Sequence, residues 1–149
     1  MGLDNFLNDR ITEEDSYRYT LPEILKFRAA RTPDETAYIF LRDGEDDEER
    51  ITYRELDRAS SDLAQSLLDM NLEGERALML YSPGLEFVKA LYGCFYAGVI
   101  AVPAYPPRKN RSLDRIRTLV DDSGSSLILA TNDIRQASER SFADVTALQ

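Results

Sequence analysis

Two segments in the first half of the chain carry apolar residues at the three- and four-residue spacing of an amphipathic helix. The first segment follows Thr20 and the second follows Thr52, and each threonine stands three residues before a glutamate. This spacing is typical of a capping box, in which the two residues satisfy each other's unpaired backbone amides. The apolar positions predicted to be buried are Leu21, Ile24, Leu25 and Ala29 in the first helix, and Leu56, Ala59, Leu63, Ala64, Leu67 and Leu68 in the second.

Two short β-rich runs, 37–41 and 51–53, lie between these helices and are separated by the acidic stretch 42–50. Gly44 and the neighbouring acidic residues favour a solvated turn, so the pattern predicts a pair of strands. A calcium-binding loop is the alternative interpretation, but the stretch lacks the alternating oxygen ligands and the closing glutamate of an EF-hand.

Continuous apolar runs alternate with helical segments from residue 77 onward. In chain order we predict strand 77–81, helix 85–97, strand 99–104, helix 113–122 and strand 126–130, with a last helix starting near Asn132 or Asp133. Gly98 and Gly124 follow the first two of these helices, as expected of C-terminal caps, and Ser112 suits the N-cap of the second. Apolar strands joined by helices predict an α/β fold, a parallel sheet with helices on both faces and right-handed crossovers.

Length and composition are those of one globular domain or of part of a larger one, with 149 residues, 43% hydrophobic and 30% charged. No apolar run reaches the roughly 20 residues needed to cross a bilayer, and the N-terminus lacks a signal-peptide pattern, so we expect a cytoplasmic location. The net charge of −9 argues against nucleic-acid and membrane partners, because it repels phosphate groups.

Histidine is absent and cysteine occurs once, at Cys94. These counts exclude a Ser-His-Asp or Cys-His catalytic set and a zinc site of histidine and thiolate ligands within this chain. Cys94 lies on the apolar side of a predicted helix, so we expect a buried core thiol.

Two loops suggest anion binding at first sight. Tyr81-Ser-Pro-Gly84 precedes a helix N-terminus, where free amides attract anions, but it has one glycine and Pro83 lacks an amide, so a ligand-free helix cap is favoured. The serine-rich run 123–126 contains the residue types of a phosphate-binding loop, but Asp121 and Asp122 precede it and no lysine follows. We interpret Gly124 as a left-handed helix cap and the serines as a solvated loop.

The strand 99–104 continues into a stiff loop that ends with a charge. Proline fixes φ and lacks a backbone donor, so Pro103, Pro106 and Pro107 end ladder pairing and hold the outgoing chain extended. The loop therefore reaches the rim of the sheet, where α/β proteins place ligands. Five cations follow within ten residues: Arg108, Lys109, Arg111, Arg115 and Arg117.

The cation cluster has two interpretations. One is a solvated surface that pairs with neighbouring acidic residues, and such pairs are common and individually weak. The other is a contact site for an anionic partner at the carboxyl edge of the sheet. The residues alone leave both open.

The segment Gly98-Val-Ile-Ala-Val-Pro-Ala-Tyr-Pro-Pro-Arg108 resembles the corresponding segment of the fatty acyl-AMP ligases, a branch of the adenylate-forming superfamily. Its most characteristic positions are Pro103, Tyr105, Pro106, Pro107 and Arg108. Shorter matches occur in the same order as at the N-terminus of that family's proteins. They are Leu21-Pro-Glu-Ile-Leu25, Ile51-Thr-Tyr-Arg-Glu-Leu56, Gly74-Glu-Arg76, Tyr81-Ser-Pro-Gly84 and Phe87-Val88.

The resemblance covers residues 18–149 and implies the opening subdomain of a large α/β N-domain. Residues 1–19 would form a flexible lead-in, and residues 20–149 a partial N-terminal subdomain. Proteins of this family use ATP and magnesium to convert a fatty acid to an acyl-adenylate, and the ligase branch passes the acyl group to an acyl carrier protein.

The family's phosphate loop, adenine-binding segment, magnesium-binding glutamate and C-domain lysine have no counterpart in residues 1–149. The resemblance therefore assigns no catalytic, cofactor-binding or metal-binding residue here, and implies that the chain alone is inactive. Carrier proteins are acidic in general, which implies a docking role for Arg108, Lys109, Arg111 and Arg115.

Three alternatives to the ligase interpretation remain at this point. They are a free-standing, non-catalytic α/β interaction module, an acyl-CoA synthetase relative, and a flavodoxin-like nucleotide binder. Open sheet edges and apolar patches would also favour pairing between copies, so a homodimer is a further expectation.

Overall fold

The computed structural model describes residues 19–106 and 114–136. Its elements in chain order are α1 Leu21–Arg31, β1 Thr36–Leu41, β2 Glu48–Thr52, α2 Tyr53–Asp69, β3 Arg76–Leu80, α3 Leu85–Ala97, β4 Ile100–Ala104, α4 Asp114–Ser123 and β5 Leu127–Ala130. Residues 132–136 are helical, at the predicted start of a further helix. The predicted lead-in, except Tyr19, and the predicted cap Ser112 lie outside the described residues. No helix among those described has the length and apolarity needed to cross a membrane.

β3, β4 and β5 form a parallel sheet in the order β4-β3-β5, which confirms the predicted α/β fold. The chain passes from β3 through α3 to β4 on one side of β3. It then passes through α4 to β5 on the other side of β3. Because parallel crossovers are right-handed, these opposite movements put α3 and α4 on opposite faces of the sheet.

The expectation that Pro103 ends ladder pairing is wrong: Pro103 lies within β4 opposite Met79, and Ala104 is still paired with β3. Its missing donor does not weaken the ladder at this position. The Ile100 amide donates to the Glu75 carbonyl at 2.8 Å, so the amides of alternate residues after Ile100 also face β3. Pro103 lies three residues after Ile100, so its backbone nitrogen faces the outer edge of β4 and not β3. A proline on that edge discourages the addition of another strand there.

Both predicted capping boxes are present. The Thr52 amide donates to Glu55 Oε2 at 2.9 Å, and the Glu55 amide donates to Thr52 Oγ1 at 3.3 Å. Thr20 and Glu23 make the same exchange at the start of α1. Hydrogen bonds from Thr52, the backbone amide first and then the hydroxyl, lower the pKa of the Glu55 carboxyl.

The main core lies between α2, α3 and the sheet. α3 crosses α2 so closely that a Cβ added at Gly93 would lie 2.7 Å from Leu63 Cδ2. Ser60 is fully buried at this contact, where its hydroxyl donates to the Lys89 carbonyl at 3.2 Å. Cys94 is also fully buried, as predicted, and burial raises the pKa of its thiol to about 11.

Two of the predicted core positions are wrong. Leu21 is 51% exposed and Leu68 is 40% exposed. Leu21 is the first residue of α1, and Leu68 follows the fully buried Leu67 of α2. An apolar period locates the buried side of a helix but not how much of that side its neighbours cover. The small polar Ser60 takes a core position instead, because the close helix approach leaves space for a small side chain only.

A second apolar cluster joins α1, α2, α3 and the hairpin, and its buried members are Leu25, Ile51, Leu56, Leu85 and Tyr92. At its margin the Tyr96 hydroxyl donates to Asp57 Oδ1 at 2.7 Å. Lys26 Nζ lies 4.8 Å from the centre of the Tyr96 ring. Burial first, and then Asp57, raises the pKa of Tyr96. These contacts tie three helices together and serve packing.

The antiparallel hairpin β1–β2 confirms the predicted turn, although β2 begins at Glu48 and Tyr53 already belongs to α2. Alternate charged side chains of a two-stranded hairpin can face water, which explains why the acidic run contributes to a strand. Asp43 Oδ1 accepts the backbone amides of residues 45–47 at 2.9–3.1 Å, and these bonds lower its pKa.

Candidate functional site

A crevice of about 360 Å³ lies at the carboxyl ends of β3 and β4. The loop after β3 leads to α3, whereas the chain after β4 leads toward α4 on the opposite face. Neighbouring strands whose connections leave in opposite directions create a gap, and open α/β sheets bind ligands in such gaps. The crevice is lined by Tyr81, Ser82, Pro83, Phe87, Pro103, Ala104 and Tyr105.

The inner wall of the crevice is aromatic. The rings of Tyr81 and Phe87 meet edge to face, with centroids 6.5 Å apart and an interplanar angle of 67°. Both residues also pack against the main core, so the two rings together separate the crevice from the interior. Tyr105 is 72% exposed and stands at the mouth.

Electrostatically the crevice is neutral. None of its lining residues carries a charged side chain. Burial, followed by the nearby Cys94 and Glu86, raises the pKa of Tyr81 to about 12, so its hydroxyl stays protonated at neutral pH. The lining therefore offers apolar contact and neutral hydroxyl groups, and suits an uncharged part of a ligand.

The characteristic loop predicted from the sequence contributes two residues to this site. Pro103 and Tyr105 line the crevice, and Pro106 follows directly. Pro107 and Arg108 lie outside the described residues. The predicted position of this loop at the rim of the sheet is confirmed for its described part.

The loop 81–84 caps α3 as predicted, with Gly84 at the N-cap and a φ of 153°. That conformation favours glycine, and the cap makes no side-chain hydrogen bond. The sequence did not predict that Tyr81, Ser82 and Pro83 form one wall of a crevice, nor that Phe87 lines the same crevice. The available signal was the group of aromatic residues directly around the strand end.

The serine-rich run after α4 does not form a phosphate loop. Gly124 is left-handed, with a φ of 62°, which confirms the predicted cap. The amides of residues 124–126 donate to the carbonyls of Asp121, Val120 and Arg76 at 2.9–3.3 Å. The Ser126 hydroxyl donates to the Glu75 carboxylate. These groups are already paired, so the run does not fit ATP phosphates.

A magnesium site is not evident in the described part of the chain either. Within residues 19–106 and 114–136, no three acidic or cysteine side chains come together to hold a metal ion. No described residue is therefore assigned to ATP or magnesium.

The structure describes only part of the predicted basic cluster. Arg115 and Arg117 are exposed on α4, and neither forms an ion pair with another described residue. Arg108, Lys109 and Arg111 lie outside the described residues. The described arginines are thus accessible from solvent.

The model of the AMP-binding enzyme family matches residues 25–148. The chain belongs to the AMP-binding enzyme family. The resemblance to its fatty acyl-AMP ligase branch is also confirmed: a fatty acyl-adenylate ligase from L. pneumophila, solved with acyl adenylate and pyrophosphate, superposes with a TM-score of 0.74. It shares 32% identity, and the match covers 85% of this chain and 22% of that one.

Two other AMP-binding relatives are informative. JamA of Moorena producens, a medium-chain-fatty-acid–[acyl-carrier-protein] ligase, is 42% identical over 113 residues, which cover 74% of this chain and 19% of JamA. An O-succinylbenzoate coenzyme A synthetase from Bacillus subtilis, solved with ATP and magnesium, has a TM-score of 0.58 and 29% identity over 73% of this chain and 28% of that one. The chain thus spans about a fifth of the length of JamA.

Proposed function

We propose that this chain forms the opening subdomain of a ligase that activates a fatty acid and transfers it to an acyl carrier protein. In the proposed reaction a carboxylate oxygen bonds to the α-phosphorus of ATP and pyrophosphate leaves. A carrier thiol then forms a thioester with the acyl carbon, and AMP leaves. The 42% identity with JamA, a fatty-acid–[acyl-carrier-protein] ligase, is the observation that carries this proposal.

The role proposed for the chain itself is structural. Its parallel sheet would supply a wall of the binding region, whereas the groups that hold the phosphates and magnesium would come from outside these 149 residues. The solved B. subtilis relative with ATP and magnesium supports a need for both in the whole ligase. The paired amides of residues 124–126 support the absence of a phosphate site in the loop after α4.

A chimera tests the proposed activity. Residues 18–149 would replace the matching segment of the L. pneumophila ligase, and fatty-acid-dependent exchange of pyrophosphate into ATP would be measured with magnesium. We expect exchange in the chimera and background exchange for the 149-residue chain alone. A folded chimera without exchange would reject the proposal, and exchange by the chain alone would reject the structural role.

We also propose that the basic cluster contacts the acidic carrier protein. The exposure of Arg115 and Arg117 on α4 supports this role. Opposite charges across an interface mainly increase the rate of encounter, and salt weakens that effect.

The double substitution Arg108→Ala with Arg111→Ala in the chimera tests the contact. It should slow acyl transfer to carrier protein more than adenylate formation, and added salt should affect only the transfer step. Arg58→Ala, an exposed position on α2, is the matched control and should leave both steps unchanged. Equal losses in both half-reactions would argue against docking.

A further inference from the structure

We infer that the outer edge of β5 pairs with β5 of a second copy of this chain, through antiparallel hydrogen bonds made by Ile128 and Ala130. This inference goes beyond the proposed function and does not depend on it. It rests on the backbone groups that the sheet leaves open, on the residue types along that edge and on an exposed apolar side chain at its centre.

The residues of β3 turn their backbone groups to alternate sides. The Ile100 amide donates to the Glu75 carbonyl, so the backbone groups of Glu75, and of every second residue after it, face β4. Leu78 lies three residues after Glu75, so its backbone groups face β5. Leu78 is paired in register with Ile128.

This register decides which groups of β5 remain open. In a parallel ladder, a residue that faces the neighbouring strand bonds to the residues on both sides of its register partner. Leu78 therefore bonds to Leu127 and Leu129. The amide and carbonyl groups of Ile128 and Ala130 then lie at the outer edge of β5. Within residues 19–106 and 114–136, β3 is the only strand paired with β5.

A second copy of β5 satisfies all of these groups at once. When the strands are antiparallel and Leu129 lies opposite Leu129 of the second copy, Ile128 lies opposite Ala130 of that copy. Two such residues exchange both of their N–H···O bonds. The two-fold axis repeats the same exchange on its other side, so the interface is self-complementary.

The residues along this edge do not oppose such pairing. Ile128 is 47% exposed on the α4 face, and pairing would bring it against Ala130 of the second copy. The run 123–132 contains neither a charged residue nor a proline. Edge strands are commonly protected by those residue types, and β5 has neither.

The other strand edges of the described chain are less suitable. The outer edge of β4 presents Ala101 and Pro103, and Pro103 has no amide to donate. β1 contains a bulge between Thr36 and Tyr38, which interrupts the regular ladder that a new strand needs. β2 begins with the charged run 48–50, which protects that edge.

The small contact makes the dimer weak. β5 has 4 residues, too few to bury the roughly 1,200–2,000 Å² of a stable interface. The charge of −9 on each copy adds a repulsion that salt screens. We therefore expect a monomer at about 5 µM and a substantial dimer fraction at about 500 µM, as for other weak interfaces. Added salt should favour the dimer.

Sedimentation equilibrium of the 149-residue chain tests the pairing. The mean mass should rise from 17.0 kDa toward twice that value as the concentration rises. Ile128→Lys introduces the charge that protects edge strands, and should keep the chain monomeric throughout. Ile100→Lys is the matched control, because Ile100 is 48% exposed on the same face of the other outer strand. This control should dimerise like the unaltered chain.

Ala130→Pro tests the backbone groups while it leaves Ile128 in place. The Ala130 amide faces the outer edge, so a proline there removes no bond to β3. Loss of the intercopy bonds should weaken association about tenfold or more. Amide hydrogen exchange locates the contact in the unaltered chain. The Ile128 and Ala130 amides should gain protection on dimerisation, whereas Leu127 and Leu129 are protected in the monomer as well.

A chain that stays monomeric at every concentration would overturn the inference. So would a dimer that persists in Ile128→Lys, or one that forms without new protection of the Ile128 and Ala130 amides. Equal loss of the dimer in Ile128→Lys and Ile100→Lys would indicate association through the α4 face, and would overturn pairing at the edge. Circular dichroism checks folding of each variant. If Ala130→Pro does not fold, hydrogen exchange of the unaltered chain decides the role of the backbone.

Discussion

The two faces of the parallel sheet are covered to different extents. On one face Ala77 and Met79 are fully buried under α2 and α3. On the other face, Ile100 and Ile128 are 48% and 47% exposed, and α4 contributes no buried residue. The central strand β3 is buried on both sides, so the difference arises at the outer strands. This difference in burial indicates that the α2–α3 face contributes most of the stability, whereas the α4 face retains exposed apolar side chains.

The largest effect is expected from the centre of the covered face. Met79→Ala removes a fully buried side chain and leaves a cavity. Such substitutions cost about 2–5 kcal/mol, so the midpoint of urea unfolding should fall sharply with little change in slope. A loss below about 1 kcal/mol would show that the α2–α3 face is not the main source of stability.

A neighbouring pair on β5 makes the comparison sharper. Leu129 packs against the main core, whereas Ile128 points to the opposite face. Leu129→Ala should cost about 1–3 kcal/mol, and Ile128→Ala should cost less than about 1 kcal/mol. Both are measured by urea unfolding of the same 149-residue chain. Equal losses would mean that the second face is covered in solution.

An effect smaller than those of Met79→Ala and Leu129→Ala is expected at the N-terminus of α2, one of the helices that cover the first face. Thr52→Ala removes the N-cap of α2 and should cost about 1 kcal/mol at neutral pH. Glu55→Gln keeps an acceptor for the Thr52 amide but removes the titrating group.

Acid sensitivity then gives a second measurement of the same cap. The pKa of Glu55 is below its ordinary value of 4.5 in the folded chain. Its contribution is therefore present above pH 4.5 and is lost as the pH falls through the lowered value. The unaltered chain should lose more stability than Glu55→Gln between pH 6 and acidic pH, as followed by thermal unfolding. Parallel pH profiles would reject the cap as the cause.

Most of the secondary structure was predictable from interactions between residues that are close together in the chain. A capping box at Thr52 and a glycine after α3 act within one helical turn, so the sequence alone locates those ends. The predicted and observed bounds of α3 agree, at residues 85–97. Continuous apolar strands also predicted a parallel sheet, because both faces of such strands need cover.

Side-chain burial near helix ends and the order of the strands required the tertiary structure. Leu68 follows the apolar period of α2 yet is 40% exposed, although the preceding Leu67 is fully buried. The period locates the buried side of a helix but not how much of that side its neighbours cover. β3 lies between β4 and β5 because the two crossover connections leave it on opposite sides. The spacing of apolar residues does not indicate on which side a crossover places the next strand.

Residues close together in the chain were sufficient to specify the helices, the strands, most of the helix caps and the resemblance to a ligase family. That Tyr81, Phe87 and Tyr105 share one crevice follows only from the three-dimensional arrangement. Those residues come from two separate strand ends and a helix. Their convergence depends on the sheet order and on crossovers that leave in opposite directions, which no local pattern specifies.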